Sequence, residues 1–144
     1  MINTKRDKNT DNKIQGIIQK CLEVTPASVG NYINSVMNSE IKPIYENIKI
    51  AGPAVTISCP NIDSTVVHYI MKYIQAGDII VIDRFGDLEF AAVGEMVALM
   101  AKNKEAAGIV IDGAVTDRTE IKEMSLPVFA RRISAKATRL IGIS

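Results

Sequence analysis

The stretch Gly108–Ala130, GIVIDGAVTDRTEIKEMSLPVFA, decides the fold. Ile109–Ile111 is a short β-branched run, suited to a strand buried within a sheet. Asp117–Met124 reads as a short helix, and Pro127–Ala130 opens another strand. Strand, helix and strand in so few residues imply a βαβ unit with parallel strands. The pattern extends upstream. Ile79–Ile82 is a wholly apolar run after the turn signal Gly77-Asp78. Phe90–Ala106 is an Ala/Met/Val/Leu stretch read as one long helix, with Gly108 as its C-cap. Asn61–Ile74 places Val66, Val67, Ile70, Tyr73 and Ile74 on one helical face. The expected fold is therefore α/β, with a largely parallel central sheet.

The N-terminal third is less regular. Met1–Lys13 is polar and charged and reads as a flexible tail, leaving residues 14–144 as a single domain. Ile14, Ile17, Ile18 and Leu22 recur at helical spacing. Thr25-Pro26 is a helix start, with Thr25 as N-cap and Pro26 in the first turn. That helix is expected to run to about Met37, and Pro43 ends any continuation. Ile48–Ser58 is strand-like but interrupted at Gly52-Pro53, which points to a sheet edge or bulge.

Composition excludes several classes. The formal net charge is +1, so a generally basic nucleic-acid binder is not indicated. The 2 cysteines, Cys21 and Cys59, lie far apart with no CxxC pairing, which argues for reduced thiols. No apolar run is long enough for a membrane span, and the polar start is not a signal peptide, so the cytoplasm is the expected location. No Ser-His-Asp or Cys-His set is visible, 1 histidine makes a triad an unfavoured reading, and no GxGxxG or P-loop is present. His68 has no neighbouring ligand set, and Met96 and Met100 read as core residues.

Chemistry in such folds sits beyond the carboxyl ends of the strands. Three such ends carry charge: Asp83–Asp87, Asp112–Arg118 and Arg131-Arg132. Gly94 lies early in the long helix, where free N–H groups hold anions, and glycine lets a ligand approach the backbone. Asp117 suits a hard divalent cation that keeps several waters. Each has a plainer reading. Asp117 and Glu120 are spaced as a capping box, and Gly94 is also consistent with close packing. Arg131, Arg132, Lys136 and Arg139 read as a solvated basic face.

The segment GEMVALMAKNKEAAGIVIDGAVTDRTEIKEMSLPVFAR (residues 94–131), with IAGPAVTI (Ile50–Ile57) and AGDIIVID (Ala76–Asp83), resembles the RraA-like family. The family includes regulators of ribonuclease E activity and 4-hydroxy-4-methyl-2-oxoglutarate / 4-carboxy-4-hydroxy-2-oxoadipate aldolases. It also holds proteins once labelled demethylmenaquinone methyltransferases, although no glycine-rich cofactor loop is present here. The resemblance implies a layered α/β sandwich around the central sheet, swivelling phosphohistidine-like, and a homotrimer or hexamer. It implies that Asp117 holds Mg²⁺ or Mn²⁺ and that Glu95 positions a catalytic water. Gly94, Glu95, Met96 and Val97 would offer backbone donors to a small 2-oxo acid. The implied activity is a pyruvate-releasing aldolase or lyase, with oxaloacetate decarboxylation as a side activity. Alternatives are a non-catalytic regulator that binds a ribonuclease or other protein, and a decayed 2-oxo-acid-binding domain. The chain departs from the family in two places. Thr116 stands where the aldolases carry a substrate-binding arginine. The family's further β-rich segment does not follow, so the domain is expected to be shortened at its C-terminus.

Overall fold

The structure, a computed structural model, describes residues 8–142. Five strands form the central sheet: β1 (Lys42–Pro43), β2 (Ala54–Ser58), β3 (Ile79–Asp83), β5 (Gly108–Val115) and β6 (Val128–Ile133). Two further strands, β4 (Phe90–Ala91) and β7 (Lys136–Ala137), pair in parallel apart from it. The central order is β1-β6-β5-β3-β2. Only the β1–β6 pairing is antiparallel; β2, β3, β5 and β6 run parallel. The expected largely parallel sheet is present, with β2 at an edge as Gly52-Pro53 implied.

One face of the sheet carries the core. Ile57, Ile80, Ile82, Ile109, Ile111, Val128 and Ala130 pack with residues of α3 (Thr65–Ile70), α4 (Glu95–Asn103) and α5 (Arg118–Glu123). Val67, Ala98, Ala101 and Ile121 are fully buried there. Burying several such side chains at about 25 cal/mol per Å² of apolar surface is the main force fixing the helices to the sheet. The opposite face is only half covered. Ile79, Val81, Val110 and Phe129 line a cavity of about 440 Å³ under Pro26, Met37 and Ile41. β3 is thus fully buried on one face rather than on both.

Several expectations shift. Met1–Asp7 lie outside the described residues, but Lys8–Lys13 belong to a helix, α1 (Lys8–Glu23), rather than to a tail. Thr25 caps α2 (Pro26–Gly30), its hydroxyl accepting the Ser28 N–H at 3.1 Å. That helix stops at Gly30 rather than near Met37. The strand expected from Ile48 begins only at Ala54, because Gly52-Pro53 breaks the run. The helix expected over Asn61–Ile74 is shorter, Thr65–Ile70.

The helix expected over Phe90–Ala106 also divides. Phe90–Ala91 pair with Lys136–Ala137, and the helix starts after Gly94. Gly108 is the first residue of β5, not a C-cap; Lys104 occupies that position. A Cβ at Gly108 would stand 2.7 Å from the Pro127 carbonyl oxygen, so its role is strand packing. Met96 is 63% exposed, not core, while Met100 packs against the core. No helix among the described residues is long and apolar enough to cross a membrane.

Candidate functional site

β5 is the long central strand, and the chain leaving its carboxyl end carries the site. The Thr116 N–H donates to the Val93 carbonyl at 2.9 Å, and Val93 bridges Val115. These bonds bring the end of β5 alongside the start of α4. Asp117 then turns in the left-handed region, at φ 51° and ψ 43°. An aspartate tolerates this conformation better than most residues. Its side chain does not cap α5. It reaches across to α4, where Oδ2 accepts the Glu95 N–H at 2.9 Å. Oδ1 accepts the Thr116 hydroxyl at 3.0 Å. The capping-box alternative for Asp117 and Glu120 is therefore overturned.

Gly94 makes this approach possible. A Cβ there would stand 2.6 Å from Asp117 Oδ2 and 2.8 Å from Thr116 Cγ2. Its φ of −139° is extended, so space rather than backbone strain demands glycine. Gly94 is thus a packing glycine, with the Asp117 carboxylate as the group packed against it.

The structure brings Gly94, Glu95, Thr116 and Asp117 together. Of the helix-start amides expected to face a ligand, that of Glu95 is taken by Asp117. The Ala98 N–H closes the first turn on the Gly94 carbonyl at 3.0 Å. The amides of Met96 and Val97 lie between them, and among the described residues no backbone bond engages either. Val97 is buried, whereas Glu95 and Asp117 are exposed.

The described residues contain no group of three or more His, Cys, Asp or Glu fit to hold a metal. A closed zinc-type site is thereby excluded among them. A single accessible carboxylate with water around it still fits Mg²⁺ or Mn²⁺, because such ions accept one protein ligand and keep the rest of their hydration shell.

The other charged strand ends do not join this site. Arg84 is fully buried. Its guanidinium donates to the carbonyls of Cys59 (2.5 Å) and Asn61 (2.7 Å) and pairs with Asp87 at 2.6 Å. It holds two loops together and is not open to an anion. Asp83 accepts the Phe85 N–H at 2.8 Å and so shapes the turn. Arg131 pairs with Asp112 and, at 3.1 Å, with Glu40. Lys136 pairs with Glu89 at 2.7 Å, and that bond with the nearby charge holds the Glu89 carboxyl below the usual carboxylate range.

Sequence reasoning missed Lys42. Together with Arg118, Arg131 and Arg132 it lines a groove of about 170 Å³. Only the antiparallel pairing of β1 with β6 brings it there, and nothing local signals that pairing.

Comparison with known proteins follows this geometry. The RraA-like family model, described as Aldolase/RraA, matches residues 25–142. A Halalkalibacterium halodurans protein named "Putative 4-hydroxy-4-methyl-2-oxoglutarate aldolase" is 38% identical over 107 residues, covering 74% of this chain and 51% of its own. A Burkholderia multivorans protein of the same name is 30% identical, over 66% of this chain and 57% of its own. The chain thus spans about half the length of these curated relatives. Among solved structures, the RNA-processing inhibitor RraA from Thermus thermophilis aligns with a TM-score of 0.73 at 23% identity, over 83% of this chain and 73% of that one. Streptomyces coelicolor RraAS2 aligns with a TM-score of 0.75 at 20% identity, over 92% of this chain and 68% of that one. These structural likenesses concern the fold.

Proposed function

The chain belongs to the RraA-like family, and from that premise we propose that it is a divalent-metal-dependent lyase that releases pyruvate from a 4-hydroxy-2-oxo diacid. One observation carries the reading. The Asp117 carboxylate is held at the first turn of α4, in a space that only a glycine at position 94 leaves free. The carboxylate bonds no amide of its own following helix; it accepts the first amide of α4 instead.

In this reading Asp117 holds Mg²⁺ or Mn²⁺ through its exposed oxygen edge. When bound, the ion supplies Lewis acidity toward the keto acid. The chain's own residues do the rest. The amides of Met96 and Val97 orient the keto-acid end at the helix start, where partial positive charge favours an anion. Glu95, exposed on the same turn, positions a water that takes the proton from the substrate's 4-hydroxyl. The C3–C4 bond then breaks, and its electron pair passes to the keto group as a pyruvate enolate. The same amides stabilise the growing charge, and a proton returns to C3. Oxaloacetate would lose CO₂ through the same enolate. Assembly into a homotrimer or hexamer belongs to this reading and is measurable by light scattering.

A second reading, binding of a 2-oxo acid without turnover, is favoured by Thr116. Its neutral side chain gives no charged, bidentate grip on a carboxylate. Pyruvate release is the deciding assay. With Mn²⁺ present, lactate dehydrogenase coupling on 4-hydroxy-4-methyl-2-oxoglutarate and on oxaloacetate should give turnover that EDTA abolishes. Well-folded protein with no turnover on either substrate refutes the lyase.

A further inference from the structure

The groove between β1, β6 and the start of α5 is lined by Lys42, Arg118, Arg131 and Arg132, with no carboxylate in its wall. Arg131 is fixed in place by Asp112 and Glu40, which offset its charge. Lys42, Arg118 and Arg132 have no ion pair among the described residues. Several like charges around one small concavity repel one another, and an anion seated there relieves that repulsion. Two of these three unpaired cations, Arg118 and Arg132, carry guanidinium groups, whose planar fork matches a carboxylate.

The groove lies close to Asp117. Arg118 is the next residue along the chain. Arg132 pairs in register with Ala114 on β5, three residues before Asp117, and neighbouring strands lie about 4.8 Å apart. We propose that this groove binds the far carboxylate of a dicarboxylic 2-oxo acid whose keto end lies against Asp117 and the first turn of α4. The inference rests on the lyase reading for the keto end and assigns Arg118 and Arg132 the choice of diacid over monoacid.

The test is calorimetric titration in the presence of Mg²⁺ with three probes: oxalate, 2-oxobutanoate and 2-oxoglutarate. Oxalate reports the Asp117 end alone. The two oxo acids differ in the far carboxylate. Wild-type protein should bind 2-oxoglutarate at least about tenfold more tightly than 2-oxobutanoate. The Arg118→Gln/Arg132→Gln double variant should bind both alike, with oxalate affinity unchanged. Lys42→Gln, on a separate strand, should reduce the preference by a smaller factor. A double variant that keeps the preference overturns the assignment, as does wild-type protein without one. If wild-type protein ignores oxalate yet binds 2-oxoglutarate through these arginines, the lyase falls and the groove stands.

Discussion

Gly94 and Asp117 lie so close that a Cβ at position 94 would stand 2.6 Å from the aspartate's Oδ2. The two obstructed atoms, this oxygen and the Thr116 Cγ2 at 2.8 Å, both end short side chains, so the protein can yield by turning the carboxylate and the threonine methyl away. Gly94→Ala should therefore cost little global stability, about 1 kcal/mol or less. It should also break the bond to the Glu95 amide. Thermal melting and metal titration separate the two effects: near-normal melting with metal affinity lost is the expected result.

Gly113 and Arg84 form a comparable pair inside the protein. A Cβ at Gly113 would collide with the Arg84 Cβ and Cγ, and Arg84 is fully buried. Here nothing can swing into solvent. Gly113→Ala should destabilise by about 1–3 kcal/mol through overpacking. Arg84→Met should cost about 3–5 kcal/mol, because it strands Asp87 and the loop carbonyls. Urea denaturation measures both, and values near zero would remove Arg84 from its structural role.

The two thiols should separate chemically. Cys21 is exposed and Cys59 buried. Burial pushes the Cys59 thiol up, against a smaller opposing pull from Arg84. A raised folded value favours the neutral thiol. Its contribution to stability is whole below the ordinary thiol range and is lost as pH rises through the raised value. With Ellman's reagent at pH 8, one thiol should react at once and the second only on unfolding. Rapid reaction of both would contradict this placement.

Much of this was legible because it is local. Thr25-Pro26 announces a helix start through its own side chains, and the apolar runs at Ile79 and Ile109 announce buried strands. The errors follow from distant partners. Phe90–Ala106 reads as one helix because its composition is uniform. Its break comes from distant pairing: Phe90–Ala91 pair with Lys136–Ala137, and Val93 bridges Val115. Asp117 itself reads equally well as a cap for α5, and only the fold reveals which helix it serves. β1 is two residues long and exists only through its pairing with β6. Hence Lys42 left no trace in the sequence, while its groove partners Arg118, Arg131 and Arg132 are legible there as charged strand ends.

Thr116 offers a gain-of-function check. Its hydroxyl donates to Asp117 Oδ1 at 3.0 Å, and it bears no charge. Thr116→Arg should add a charge-assisted grip on the substrate's carboxylate, worth about 1.5–3 kcal/mol. Steady-state kinetics should then record kcat/KM on a 2-oxo diacid rising by about tenfold or more. An unchanged or lower value would mean that no substrate carboxylate lies beside position 116.

The most direct measurement is calorimetric titration of oxalate, a mimic of the pyruvate enolate, with and without Mg²⁺, on wild-type protein and on Asp117→Ala. The account predicts binding that requires the metal and disappears in the variant while the fold survives by circular dichroism. Oxalate that binds equally well without metal, or to a folded Asp117→Ala protein, contradicts it.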